Sequence, residues 1–402
     1  MQIERKGIMR DDANLQLIGF GPAALGIFVT ADRMGAIDEL IRRGIVIHER
    51  LDSIEQWDCI NYRIRSNSPL KDFLQGIRPD GIFKQCISSS FKNLTEQENE
   101  TIYLNDISEF LKKMVRVVIE KINQSNISNV VWSSQVDHIS IENGFSVFND
   151  DQRELNSKHL LLACGSSNKP LLPEHVSRKY PTKVIPSDSV LRGNSDHILA
   201  DWLGKDQPII ILGGAHSAFS TVCYLLEHFS YLSNSQKLHL VSRREVLEWE
   251  ISEHGGKTNS DNKVILNRFS GLRGDAKDMF QKIKNGKEKR VKLNIGTKME
   301  VLLDRLFDKS SSFQPLVINA TGYQSRVPWL VGKNNVKFKP DMFNGNIAKL
   351  RETQELTYQG EPIPKLYGLG LGYSDVGKDG TEVGINLYHG RAAENILNNV
   401  LL

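Results

Sequence analysis

The chain has 402 residues, which at roughly 150 per domain suggests two or three domains. Hydrophobic residues make up 40% and charged residues 25%, enough apolar surface for a sizeable core and too little polarity for bulk disorder. The net charge of +3, with no long basic block, argues against a nucleic-acid partner.

In chain order, residues 15–18 read as a short apolar strand that runs into Gly19-Phe20-Gly21-Pro22-Ala23-Ala24-Leu25-Gly26. Leu25, Phe28 and Val29 then recur at helical spacing. Gly44 breaks the chain, and Ile45-Val46-Ile47-His48-Glu49 reads as a buried strand ending in an acid. This is a strand–turn–helix–strand unit. At a dinucleotide turn the chain must reverse, the backbone must approach the pyrophosphate, and the helix must pack close to the strand. Gly19 suits the first role, Gly21 the second and Ala24 the third. Pro22 and Ala23 open a helix whose N-terminal N–H groups face the phosphates. Glu49 is placed to accept hydrogen bonds from ribose hydroxyls. Its interval from Gly21 exceeds the ~20 residues of the minimal fingerprint and predicts a long first helix. The competing reading is a purely structural glycine turn in an ordinary α/β domain.

Residues 107–122 read as an amphipathic helix, with Phe110, Leu111, Met114, Val118 and Ile122 on one side. From Val130 to Phe148 the pattern predicts a small antiparallel meander, and Leu160 to Gly165 another buried strand ending in glycine. A second unit then starts. Residues 209–212 form an apolar strand, Gly213-Gly214-Ala215-His216-Ser217-Ala218 a turn, 219–229 a helix and 238–241 a strand. Ala215 stands where the second glycine is expected, and its methyl group opposes close approach of a pyrophosphate. Arg243 and Arg244 follow the strand where NADH enzymes carry an acid. They suit a ribose 2′-phosphate, hence NADPH. A degenerate domain that binds nothing is the alternative. His216 is expected at the helix start beside the dinucleotide. Residues 252–262 read as a mobile polar loop and 282–292 as a solvated helix end and turn. Asn319-Ala320-Thr321-Gly322-Tyr323 ends a further strand. Near the C-terminus, residues 365–370 form a short strand, and Gly384-Ile385 leads into a last helix.

Four cysteines, Cys59, Cys86, Cys164 and Cys223, form no Cys-x-x-Cys pair, which counts against a dithiol redox motif and a zinc ribbon. They read as free thiols of a cytoplasmic protein. No signal-peptide core opens the sequence, no run of about 18 apolar residues argues for a membrane span, and no clustered ligands argue for a metal. No G-x-S-x-G elbow supports a nucleophilic serine.

Taken together, GFGPAALG, Glu49, Ser68-Pro69-Leu70-Lys71-Asp72-Phe73, GGAHSA, NATGY and the YGLG segment resemble the two-dinucleotide flavoproteins. Within them the resemblance is nearest to the flavin-dependent N-hydroxylating monooxygenases, the ornithine and lysine N-hydroxylase group. It implies an α/β fold with two Rossmann-like parallel-sheet domains, the second inserted into the first. The FAD domain would span 1–189 and 314–402, and the NADPH domain 190–313. FAD would be held by Gly19, Gly21, Pro22, Ala23, Ala24, Glu49, Trp57, Gly165, Gly322, Tyr323, Gly384 and Ile385. NADPH would be held by Gly213, Gly214, His216, Ser217, Arg243 and Arg244. Lys71 and Asn267 would contact the substrate, and no acid–base residue or metal is assigned. The implied reaction is hydroxylation of an amine or amino-acid nitrogen with molecular oxygen, through a flavin C4a-hydroperoxide.

Two departures stand out. The family's Trp-His pair is Trp57-Asp58 here, and its glutamine before the lysine is absent, with Ser66 and Asn67 nearest. Two other readings stay open: a flavin oxidase or NAD(P)H oxidoreductase without oxygen insertion, and a non-catalytic nucleotide-binding scaffold. The oligomeric state is also open, a homo-oligomer included.

Overall fold

A computed structural model describes residues 12–91, 98–142, 144–149, 152–168, 178–179, 183–204, 207–229, 238–248, 257–258, 264–265, 271–296, 298–306, 315–343, 345–374, 376–377, 380–381 and 390–402. Strand β1 (Asp12–Ile18) leads through the first glycine turn into helix α1 (Pro22–Arg33). Proline suits this start because its missing N–H has no intrahelical partner to lose. The chain leaves α1 through Gly35, in the left-handed region at φ +67°, and α2 (Ile37–Arg42) follows. Two helices therefore fill the long interval to Glu49, not the single long helix that the spacing predicts. Strand β2 (Ile45–His48) is buried at every position, as a parallel strand covered on both faces must be.

Strands β3 (Arg65–Pro69) and β4 (Thr101–Tyr103) form an antiparallel ribbon, with α3 (Leu70–Leu74) between them in sequence. Helix α4 (Leu104–Asn123) buries the apolar side that its periodicity predicts. It returns the chain to β5 (Asn129–Val131), which pairs parallel with β2. Val130 and Val131 thus leave the predicted meander, because the helix before them is the crossover that a parallel strand needs. The meander itself comprises β6 (His138–Ser140), β7 (Phe145–Asn149) and β8 (Gln152–Leu162).

From β8 the chain passes through β9 (Ser166–Asn168) into a second half. There β10 (Lys183–Pro186) precedes α5 (Ser187–Leu191), and β11 (Ile209–Leu212) leads through the second glycine turn to α6 (His216–His228) and β12 (Leu238–Ser242). Helix α7 (Gly274–Lys284) then leads to β13 (Val291–Ile295), and β14 (Leu316–Asn319) closes the half. These five strands form a parallel sheet in the order β10-β14-β11-β12-β13. Its hydrogen bonding takes in 183–186 and 316–319, just outside the span 190–313.

The return passage, β15 (Tyr323–Ser325), pairs antiparallel with β9, so the outward and return crossings run side by side. Strand β16 (Trp329–Val331) then joins β6, and β17 (Glu355–Tyr358) pairs with β18 (Glu361–Gly368). Strand β18 lies parallel to β8, completing a parallel run β5-β2-β1-β8-β18 within a ten-stranded sheet. Helix α8 (Arg391–Leu401) packs on α1. One core joins α1, α4 and α8 to this sheet, a second lies on its other face under the meander, and a third is centred on α6 in the second half. Among the described residues no helix is long and apolar enough to cross a membrane, and no cluster of side chains is fit for a metal ion.

Candidate functional site

The first glycine turn is pinned between two strand ends. Gly19 N–H donates to the His48 carbonyl at 2.8 Å, and Ala163 N–H to the Ile18 carbonyl at 2.9 Å. At φ +94°, a Cβ on Gly19 would stand 2.6 Å from the Ala163 carbonyl oxygen, so only glycine fits. Gly21 differs. Its φ of −80° is open to any residue, and an added Cβ would meet nothing closer than Cys59 Sγ at 3.9 Å. The fold does not need glycine there, and the open surface lies at the N-terminus of α1, where a phosphate would approach. The loop after β18 closes on the same helix end. Leu369 N–H donates to the Leu162 carbonyl at 3.0 Å, and the buried Ser374 hydroxyl has no hydrogen-bond partner among the described residues. Gly165 and Gly322 are also left-handed, at φ +66° and +97°, with open space where a Cβ would stand.

Glu49 is buried beside this turn. One carboxylate oxygen accepts Phe20 N–H at 2.7 Å and the other Leu51 N–H at 3.1 Å. Each oxygen retains lone-pair capacity for a further donor. Trp57 is buried in the core, and its indole N–H donates to the Phe20 carbonyl at 2.7 Å. Glu49 and Trp57 therefore grip the two ends of the Phe20 backbone. Trp57 braces the turn from within the core, and its one N–H is spent there.

The second turn repeats the first with one change. Gly213 N–H donates to the Val241 carbonyl at 2.9 Å, and at φ +142° a Cβ would run into the Ala320 carbonyl. Gly214 packs just as tightly on Ser242. Ala215 caps α6 at φ −117°, ψ −174°, close to the −80°, −174° of Gly21. Its backbone is unstrained, and the added methyl is exposed at the helix end. His216 Nε2 accepts Arg273 N–H at 2.9 Å. Burial, reinforced by the Arg273 charge, pushes the imidazole down to about 4, so it is a neutral acceptor tying α6 to α7. The Ser217 carbonyl accepts the Thr221 hydroxyl at 2.7 Å. Arg243 and Arg244 are exposed just past β12, and neither has an ion pair among the described residues.

Lys71, on α3, is exposed, and its ammonium donates to Asn99 Oδ1 at 2.9 Å. Ser66, nearest to the missing glutamine, is buried and spent within its own ribbon. Its hydroxyl donates to the Ser68 carbonyl at 2.6 Å and accepts Ile102 N–H at 3.1 Å. Tyr323 is turned toward the second half, with its hydroxyl donating to the Asp188 carboxylate. Asn267, Gly384 and Ile385 lie outside the described residues. Cys59, Cys164 and Cys223 are free, and burial pushes each thiol up to about 12, so none is an activated thiolate. The sequence did not single out Phe20, Gly370 or Ser374. Gly370, the second glycine of the YGLG segment, was the one available signal.

The L-lysine 6-monooxygenase of Pseudomonas syringae shares this architecture, with a TM-score of 0.62 over 96% of this chain and 99% of that chain, at 14% identity. The fold is that of the two-dinucleotide-binding flavoproteins. The ornithine N-hydroxylase of Kutzneria sp. 744, solved with reduced FAD, NADP+ and L-ornithine, matches with a TM-score of 0.58 at 12% identity, covering 97% of this chain and 99% of that one. The bacillithiol disulfide reductase of Staphylococcus aureus matches with a TM-score of 0.55 at 14% identity, over 97% and 99%. In sequence, the chain is 24% identical to the CMP-5'-(3-aminopropyl)phosphonate hydroxylase of Streptomyces rubellomurinus, across 93% of this chain and 92% of that protein. No family model matches the chain.

Proposed function

We propose that this protein is an FAD- and NADPH-dependent monooxygenase that hydroxylates the nitrogen of a primary amine. One observation carries the reading: two strand–glycine turn–helix units of matching geometry on one chain that is similar, over 93% of its length, to a hydroxylase of an aminopropyl substrate. FAD is assigned to the first turn. Gly19, Gly21, Ala23 and Ala24 offer backbone to the pyrophosphate, Glu49 its remaining lone pairs to ribose, and Ser374 its unspent hydroxyl. Gly165 and Gly322 leave the approach open. NADPH is assigned to Gly213, Gly214, His216 and Ser217, with Arg243 and Arg244 for the 2′-phosphate. The NADPH half is the inserted segment together with its flanking strands β10 and β14. The bound flavin, once reduced, supplies the oxygen-activating chemistry, and the protein's part is to orient the dinucleotides and amine and to exclude water.

Lys71 is assigned to an anionic group on the substrate. Ser66 is spent, and Trp57 is followed by an acid in place of histidine, so the amino-acid recognition of the resembling family is incomplete here. A primary amine carrying a phosphonate or phosphate fits Lys71 as well as an amino acid does. The test is to purify the protein, record its flavin spectrum, and follow NADPH oxidation with aminoalkylphosphonates, diamines and amino acids. Amine-stimulated NADPH oxidation that yields hydroxylamine supports the reading. A protein that takes up no FAD, or that yields peroxide alone with every amine, overturns it.

A second reading is an NAD(P)H oxidoreductase without oxygen insertion. The Ala215 methyl group favours it, since poor seating of NADPH would starve a monooxygenase cycle. The raised thiols count against a thiol-based version.

A further inference from the structure

Away from both glycine turns, segment 58–63 of the first half meets α5 of the second. Ile60 stands in the left-handed region at φ +54°, a strained conformation for a β-branched residue. Such strain persists only where surrounding contacts over-determine it. Here Tyr62 N–H donates to the Ile60 carbonyl at 2.8 Å, and the Ser108 hydroxyl to the Cys59 carbonyl at 2.7 Å. From the other half, Arg192 donates to the Asp58 carboxylate at 2.8 Å and to its carbonyl at 3.0 Å. The same guanidinium lies over the Tyr62 ring, 4.9 Å from its centre. Arg63 N–H donates to the Leu191 carbonyl at 2.8 Å, and its guanidinium pairs with Asp196 at 3.3 Å.

Tyr323 joins this contact from the crossing itself. It opens β15, and its hydroxyl donates to the Asp188 carboxylate on α5. The Tyr62 phenol interacts with the same hydroxyl. Burial holds both phenols protonated. The β9–β15 ribbon spans only 166–168 and 323–325 and leaves the angle between the halves soft by itself. Residues 58–63, α5 and Tyr323 add bracing from three separate stretches of chain, beside the packing of β3 on α7.

We propose that Tyr62, Tyr323 and Asp188, with Arg192 on Asp58, form a clasp that fixes the angle between the two dinucleotide halves. Tyr323 and Asp188 are then positioning residues, and the Tyr323 hydroxyl is not a cofactor ligand. The effect on electron transfer rests on the function proposed above, whereas the clasp does not. The test compares FAD-loaded wild-type protein with Asp188→Asn, Tyr323→Phe and Tyr62→Phe. Amide hydrogen exchange in 58–63 and 187–193 is expected to quicken about tenfold in each variant, with α1 and α6 unchanged. Flavin reduction at saturating NADPH is expected to slow about tenfold, with NADPH affinity held within about twofold. Unchanged exchange in both segments overturns the clasp. Faster exchange with an unchanged reduction rate overturns the positioning role. Weaker NADPH binding at an unchanged saturated rate makes Tyr323 a ligand and overturns its assignment. If NADPH fails to reduce wild-type flavin, the proposed function falls, and the exchange data still decide the clasp.

Discussion

A Cβ added at Gly370 would stand 2.7 Å from the Cβ of Ala23, so the loop after β18 closes directly on the first turn of α1. Gly370→Ala faces two penalties, the clash and a φ of +103°. Gly360→Ala is the control, because it shares the left-handed φ, at +84°, but meets open space. The control should lose only the conformational cost, about 1–2 kcal/mol. Gly370→Ala should lose more, and the loop it displaces carries Ser374. Flavin retention through gel filtration and denaturant midpoints check this. FAD affinity should fall about tenfold or more in Gly370→Ala and stay near wild type in the control. Equal affinity in the two variants would sever the loop from the proposed flavin site.

Glu49 makes a separate demand on the same turn. Glu49→Gln keeps the shape but leaves one of the Phe20 and Leu51 N–H groups without its acceptor. A buried donor left unpaired costs about 1–3 kcal/mol. The loss of the ribose acceptor proposed for Glu49 would add to this in the flavin-bound form. Glu49→Gln should therefore destabilise apoprotein and holoprotein alike, and the holoprotein more. Thermal unfolding with and without added FAD measures the difference. An equal loss in both forms would mean that Glu49 serves the turn alone.

Much of this was legible in the sequence because some residues have one physical use. Gly19 and Gly213 sit at left-handed turns hard against a neighbouring carbonyl, and each follows a short buried strand, so both turns could be read directly. The period of α4 fixed its buried side. Less was legible where a residue admits several uses. Gly35 permits a break without requiring one, so the interval before Glu49 read as one helix. An indole just past the short 3₁₀ turn Ile54–Gln56 suits core or cofactor equally, and Trp57 faces the core. Gly370 and Ser374 gain meaning only once β18 pairs with β8 and carries their loop to α1. Tyr62, Asp188 and Tyr323 are far apart in the chain, and only the tertiary fold brings them together.

His216 gives the second half a pH signature. Its folded-state pKa lies near 4, against an ordinary 6.5, because burial disfavours the cation. The unfolded chain takes up the proton first as pH falls. Stability is thus full above about 6.5 and is lost between about 6.5 and 4, by up to about 3 kcal/mol. Glutamine at 216 can accept Arg273 N–H through its amide oxygen without titrating. His216→Gln should match wild type at pH 7.5 and lose less stability by pH 4.5. His159 is also pushed down to about 4 by burial, so the comparison must be between wild type and variant, not against a flat baseline. Denaturant melts across this range decide it, and parallel curves would mean that His216 does not carry the effect.

Coenzyme choice tests the exposed arginines and the alanine at the second turn separately. Replacing both Arg243 and Arg244 by alanine removes the charges assigned to the 2′-phosphate. A charge-assisted hydrogen bond contributes about 1.5–3 kcal/mol, so kcat/KM for NADPH should fall about 10- to 100-fold. NADH, which lacks that phosphate, should be used as before, and the preference should level or reverse. Unaltered use of both coenzymes would remove the arginines from the site. Ala215→Gly acts on a different contact. The Ala215 backbone already adopts a conformation close to that of Gly21, so glycine brings no relief of strain and about 1 kcal/mol of extra chain entropy to overcome. Any gain must come from the pyrophosphate approaching a helix end without a methyl group. The variant should be slightly less stable yet bind NADPH and NADH more tightly by the same factor, because both carry the same pyrophosphate. Titration of each coenzyme against the FAD-loaded protein, beside a thermal melt, separates these effects. A gain for one coenzyme only would place the methyl group away from the pyrophosphate.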